Sequence, residues 1–129
     1  IALHQEIYGH KNIKADVKGE ERFILKSDEQ MASVLIGNLV KNAFLYTPEG
    51  GSIEIQMSRT GFSISNDGNA PLDKEKVFRR FYQPSGRREG ATGLGLALVY
   101  SVCINNGLDI TYDYADGRHI FSIILKKSK

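Results

Sequence analysis

The stretch LIGNLVKNAFLYTPEGGSIEIQMS, Leu35 to Ser58, changes its hydrophobic period halfway along, and that change decides the fold. Up to Tyr46 the apolar residues recur at the spacing of one helix face. Thr47-Pro48 then stops the helix, because proline cannot continue it and restricts the residue before it, and Gly50-Gly51 lie just beyond. From Ser52 to Ser58 the pattern alternates, with Ile53, Ile55 and Met57 on one face of a strand.

Upstream, Ser27 and Gln30 match a capping box, so the long helix opens at Ser27 and runs to about Tyr46. Ile13 to Val17 and Arg22 to Lys26 read as short strands around a polar turn at Gly19, and Ile1 to Tyr8 as a helix end or an edge segment. Downstream, a Thr60-Gly61 turn leads to alternating Phe62 and Ile64, which closes a hairpin with Ser52 to Ser58. Asp73 to Tyr82 reads as a short helix with Val77, Phe78 and Phe81 as its apolar residues. Gln83 to Thr92 is polar and glycine-containing, the pattern of a mobile loop. Leu94 to Asn106 reads as a helix closed by Gly107. Ile110, Tyr112 and Tyr114 alternate, Asp116-Gly117 turns the chain, and Phe121, Ile123 and Leu125 alternate back. Strands and helices intermix with hairpins, so the expected class is α+β, a mixed sheet with helices on one face.

The 129 residues amount to one domain, 41% hydrophobic and 25% charged, which excludes a wholly disordered chain. A net charge of +2 gives no ground for a nucleic-acid or anionic-membrane partner. The single cysteine, Cys103, lies in an apolar helical pattern and reads as a buried small hydrophobe. One cysteine allows no internal disulfide, in keeping with a reducing, cytoplasmic setting. No apolar run is long enough to span a bilayer and no signal peptide is seen. The first residue is Ile1, so residues 1–129 read as one piece of a longer chain.

Three places stand out chemically. Asn38 and Asn42 are one helical turn apart, and their face also carries Met31 and Leu35, so both amides fall within the apolar arc. They either bond to each other or to nearby backbone, or they point into a cleft and hold something polar; a carboxamide oxygen suits Mg2+. Tyr46 follows one turn further on, where it can lie against a flat ring. In SISNDGNAP, Ser63 to Pro71, a strand ends at Asn66 and Asp67-Gly68 turns the chain. Taken alone this is an ordinary turn; alternatively Gly68 answers a positive φ or the close approach of a ligand. In GATGLGLALVYS, Gly90 to Ser101, a glycine-rich hinge runs into a helix start, whose free amides and positive dipole end attract phosphate. The pattern is neither a phosphate loop of the Walker type nor a dinucleotide fingerprint.

Together, in this order and spacing, LIGNLVKNAFLYTPEGG, ISNDGNAP, VFRRFYQ and GATGLGLALV resemble the N, G1, F and G2 boxes of a bacterial sensor histidine kinase's catalytic ATP-binding domain. That domain belongs to the gyrase, chaperone and histidine-kinase ATPase superfamily (the Bergerat fold), and the likeness covers nearly everything from Lys26 onward. It implies a two-layer α/β sandwich, with a mixed sheet of about five strands packed on three helices and ATP held between helices and lid. It also implies roles for individual residues. Asn42 would bind Mg2+, with Asn38 and Lys41 completing the catalytic group and Lys41 reaching phosphate. Tyr46 would line the adenine pocket, Asn66 would face the adenine amino group, and Gly68 would lie beside the base. Phe78 and Phe81 would anchor the near end of the lid. Thr92, Gly93, Leu94, Gly95 and Leu96 would meet the phosphates, and Arg87 or Arg88 would touch the γ-phosphate.

The departures are Asn66 where the family usually has aspartate, Ala70 and Ala91 in place of glycines, and Gln83 where arginine is common. An amide oxygen still accepts from adenine but lacks charge, so weaker affinity is expected. The resemblance implies γ-phosphoryl transfer to a histidine on a separate dimerisation domain of the same protein, and a response-regulator partner. It further implies a dimeric parent anchored in the inner membrane, although this piece itself does not touch the bilayer. The chain contains no H-E-x-x-x-P box, so self-phosphorylation is not expected; His4, His10 and His119 read as surface residues. The alternatives are an ATP-hydrolysing clamp, which would need a glutamate at position 38, an anti-sigma-factor-type serine kinase, and a docking module with impaired nucleotide binding.

Overall fold

The computed structural model describes residues 14–18, 29–57, 61–68, 70–80, 82 and 94–125. In chain order the elements are β1 (Lys14–Lys18), α1 (Glu29–Tyr46), β2 (Ser52–Met57), β3 (Gly61–Asp67), α2 (Gly95–Asn105), β4 (Leu108–Ala115) and β5 (Arg118–Leu125). The strands form one five-stranded sheet in the order β1-β2-β3-β5-β4. β1 pairs parallel to β2, with Ala15 opposite Ile53. Parallel neighbours require a crossover, and α1 lies on it. The other pairs are antiparallel: Ile55 faces Ile64, Asn66 faces His119, and Tyr112 faces Phe121. The sheet is therefore mixed, as the sequence led one to expect.

Alternation along the strands sends one set of side chains into the core: Ile53 and Ile55, Phe62 and Ile64, Phe121 and Ile123. Leu35, Leu39, Val40, Ala43 and Phe44 of α1 and Val99 and Cys103 of α2 meet them there. The helix face read in the sequence is thus the packed face, and removing a side chain such as Leu39 would cost about 2–5 kcal/mol. α1 ends where Thr47, fully buried, gives both its N–H and its hydroxyl to the Ala43 carbonyl. The turn between β4 and β5 has both central residues in the left-handed region, Asp116 at φ 54° and Gly117 at φ 73°. That is the turn whose twist matches two paired strands, and aspartate followed by glycine suits it. Gly107 closes α2 at φ 69°.

The helix expected over Asp73 to Tyr82 is instead a run of turns through residues 74–80. Asp73 is bonded by its own side chain to the Glu75 N–H, and its N–H goes to the Tyr82 hydroxyl. These local bonds compete with a helical ladder. Val77 is the buried apolar residue there, and Phe78 stacks on Tyr100 of α2 with ring centroids 5.4 Å apart. Asp67, expected in a turn, still belongs to β3 and pairs with Arg118. The strand expected over Arg22 to Lys26, the Ser27 cap and the Gln83 to Thr92 loop lie outside the described residues.

Candidate functional site

Two places in the fold carry the candidate residues. The first is where α1 meets the start of α2. Asn38 is half-buried and its Nδ2 donates to the Val34 carbonyl at 2.8 Å. Its Oδ1 would lie 3.2 Å from a Cβ placed on Gly95. Gly95 thus allows a close approach between the asparagine and the first turn of α2, which any larger residue would push apart. Leu94, the N-cap residue, supplies no side-chain cap, and the first turn of α2 contains no acidic residue. No acidic side chain of the helix's own first turn competes for the amides there, the condition in which a helix start favours an anion.

Asn42, one turn beyond Asn38, is half-buried, and among the described residues its side-chain amide has no hydrogen-bond partner. Lys41 is exposed and Tyr46 is half-buried. The two alternatives left open by the sequence are therefore divided between the two asparagines. Asn38 is partly satisfied by its own helix, while the Asn42 side chain has no partner among the described residues. A carboxamide whose oxygen meets no donor among the described residues, next to a lysine in the chain, fits a hydrated Mg2+ bound together with phosphate. Leu94 is exposed, and Leu96 packs partly against the core.

The second place is the end of β3. Asn66 is only 2% exposed; its Nδ2 donates to the Asp67 carbonyl at 3.2 Å. Among the described residues nothing donates to its Oδ1, so an acceptor remains on the inner face of the sheet. Gly68 follows, without a positive φ. A Cβ there would run into His119 at Nε2 and Cδ2, so the crowding that makes glycine necessary comes from an imidazole of this chain. The Gly68 N–H donates to the Gly117 carbonyl at 3.0 Å, and its own carbonyl accepts from the Tyr114 hydroxyl at 2.9 Å.

His119 is buried, contrary to the surface position expected for it. Its place on β5, two residues before Phe121 and four before Ile123, puts it on the inward face; that alternation was the signal that could have found it. Tyr112 Oη lies 2.7 Å from His119 Nδ1 and accepts from the Leu72 N–H at 2.9 Å. Burial pushes the Tyr112 phenol above its usual range and the His119 imidazolium below its own, so both rings stay neutral near pH 7. On the other face of the sheet, Arg118 binds Asp67 at 2.7 Å and reaches Ser52 and the Ser65 carbonyl, and Asp67 also accepts from the Ser52 N–H. Nothing in the sequence pattern announced this cluster. Phe81, Arg87, Arg88, Thr92 and Gly93, each given a role by resemblance, lie outside the described residues.

Residues 27–129 match the family model described as histidine kinase-, DNA gyrase B- and HSP90-like ATPase. Sensor histidine kinase RppB of Synechocystis sp. is 30% identical over 133 residues, covering 95% of this chain and 29% of the relative. Sensor-like histidine kinase SenX3 of Mycobacterium tuberculosis is 30% identical over 115 residues, covering 82% of this chain and 28% of the relative. The chain thus spans under a third of these relatives' length. Among solved structures, the catalytic domain of histidine kinase ThkA superposes with a TM-score of 0.75 at 25% identity, over 98% of this chain and 86% of that one. The same kinase in complex with response regulator protein TrrA matches at 0.74, at 24% identity, over 98% of this chain and 38% of that one.

Proposed function

Because the chain belongs to the histidine kinase-, DNA gyrase B- and HSP90-like ATPase family, we propose that it is the ATP-binding catalytic domain of a sensor histidine kinase, which passes the γ-phosphoryl group of Mg-ATP to a histidine on a separate dimerisation domain. The observation that carries this reading is the meeting of α1 and α2. An asparagine whose Oδ1 would come within 3.2 Å of a Cβ on the glycine that opens α2, where no side chain caps the helix, and a second asparagine one turn away with no partner among the described residues offer a place for a metal-bound phosphate chain. Asn42 would hold the Mg2+, with Asn38 beside it and Lys41 close enough along the helix to neutralise phosphate charge. The metal, when bound, spreads and offsets charge on the transferring group. The chain's own part is positioning. The first turn of α2 offers amides to the phosphates, Asn66 offers an acceptor to the adenine amino group, and Tyr46 lies against the base. Arg87, Arg88 and the Thr92-Gly93 segment would complete the phosphate contacts, with Phe81 anchoring the lid.

Asn38 weighs against a water-activating clamp, since an amide is no general base and its Nδ2 is already committed to Val34. By analogy with the ThkA complex, a response regulator would be the downstream partner. The parent would be a dimeric inner-membrane sensor with this domain in the cytoplasm. Titration calorimetry with ATP in the presence and absence of Mg2+ tests the proposal. Saturable, magnesium-dependent binding is expected, with label from γ-labelled ATP entering an added phosphoacceptor domain and not this chain. Absence of binding at millimolar nucleotide would overturn it.

A further inference from the structure

The turn after β3 is gripped from three sides by the β4–β5 hairpin. Gly117 takes the Gly68 N–H, Tyr114 gives its hydroxyl to the Gly68 carbonyl, and the His119 ring fills the space where a Gly68 side chain would be. His119 is also the direct cross-strand neighbour of Asn66. The ring is fixed in turn: Tyr112 Oη accepts from the Leu72 N–H, so its proton is free to go to His119 Nδ1, which leaves the remaining imidazole proton on Nε2, against Gly68. We infer that His119 is a positioning residue for the end of β3, which carries Asn66, and for Gly68 just beyond it, and that a second proton on its ring releases that segment and weakens nucleotide binding. The last clause rests on the proposed role of Asn66 and Gly68 in holding the base.

The reason is bond counting. An Nδ1–H cannot accept from the Tyr112 hydroxyl, so the protonated ring would turn that bond around and strand the phenolic proton in a buried place. Nor, among the described residues, does a carboxylate face the ring to welcome the charge. From β4, Tyr112 and Tyr114 face the ring, at centroid distances of 5.8 Å and 5.2 Å. Asp67 of β3 is bound by Arg118 of β5 on the opposite face. Asp113 of β4 is paired with Lys74, Asp73 is engaged with the Glu75 N–H, and Asp116 sits exposed in the turn. Burial alone moves the ring's affinity for protons, downward. The neutral form is thus the seated form, and it prevails above a midpoint lower than 6.5.

The test is an NMR pH titration of the 129-residue chain without nucleotide, following the His119 ring together with the Gly68 backbone amide and the Asn66 side-chain amide. The expected result is one shared midpoint below 6.5 for all three. The same amides should be flat with pH in H119N, which keeps an acceptor for Tyr112 but has no proton to gain. If the ring titrates while Gly68 and Asn66 do not follow, the inference is overturned, and this arm needs no variant to fold. The second arm is ADP affinity at pH 8 and pH 5, compared between the two proteins so that titration of the diphosphate cancels. At least a threefold greater loss is expected in the unsubstituted chain; parallel losses would overturn the link to nucleotide. Failure of both proteins to bind ADP at pH 8, with the shared midpoint intact, would remove the nucleotide reading and leave His119 as the residue that seats the turn.

Discussion

The two ends of the candidate site are built in opposite ways. At the end of β3 nearly every polar group is engaged: Gly68 through both backbone groups, His119 through Tyr112, and Asp67 through Arg118 and Ser52. Where α1 meets α2, Asn42 has no side-chain partner among the described residues, Lys41 stands exposed, and the α2 start has no side-chain cap. The difference teaches which end arrives formed and which is completed by its ligand. On the proposed reading a flat base would need a rigid acceptor at a fixed distance, which the hairpin-held end of β3 would supply. A metal-chelated phosphate chain, if it sits where proposed, would bring its own charge and geometry to an end whose donors and oxygens are less engaged among the described residues.

Substitutions at the two ends should therefore separate stability from binding. The largest effect is expected for Gly68→Ala, whose methyl would enter the His119 ring. Overpacking of this kind costs about 1–3 kcal/mol, visible as a lower urea midpoint, and nucleotide affinity should fall with it. Asn42→Ala should do the reverse. It removes no hydrogen bond made among the described residues, so stability should stay within about 0.5 kcal/mol, while Mg-ATP affinity falls tenfold or more, about 1.4 kcal/mol. If Asn42→Ala destabilised the chain as much as Gly68→Ala does, the contrast between the ends would collapse. Asp67→Asn comes next. It weakens a half-buried ion pair with Arg118 and should cost about 1 kcal/mol without changing the magnesium requirement.

A pH series sharpens the same comparison. The His119 pKa is lower in the folded chain than in the unfolded one, so the unfolded chain holds more protons as pH falls below 6.5. Stability should therefore decline from pH 7.5 toward pH 5, and H119N should show a shallower decline in denaturant titrations. The smallest effect is expected for Lys74→Ala. Its ion pair with Asp113 joins side chains 65% and 60% exposed, and loss of such a pair should lie within the error of an unfolding curve.

Much of this was legible in the sequence. The change of period at Thr47-Pro48 located the end of α1 and the start of β2, because proline and a switch from helical to alternating spacing are strong local signals. Asp116-Gly117 announced its hairpin for the same reason: its chemistry is confined to the turn itself. The spacing of Asn38 and Asn42 put both on one helix face but did not reveal the difference in their bonding, which depends on where the Val34 carbonyl and Gly95 stand. The run from Asp73 to Tyr82 was misread as a helix, since its apolar content was visible but the side-chain bonds of Asp73 and Tyr82 were not. His119 was misplaced at the surface because residue type was weighed above its position in an alternating strand. The long-range contacts, such as Tyr114 with Gly68 across 46 residues, leave no trace in local spacing.

The strand order leaves β4 at one margin of the described sheet, with Asp109, Thr111 and Asp113 exposed along it. A neighbouring molecule that tried to extend the sheet there by adding its own copy of the strand would bring aspartate rows together. Like charges on such a border discourage strand-to-strand polymerisation, so a domain with an open sheet can be kept at high local concentration without growing fibres from that side.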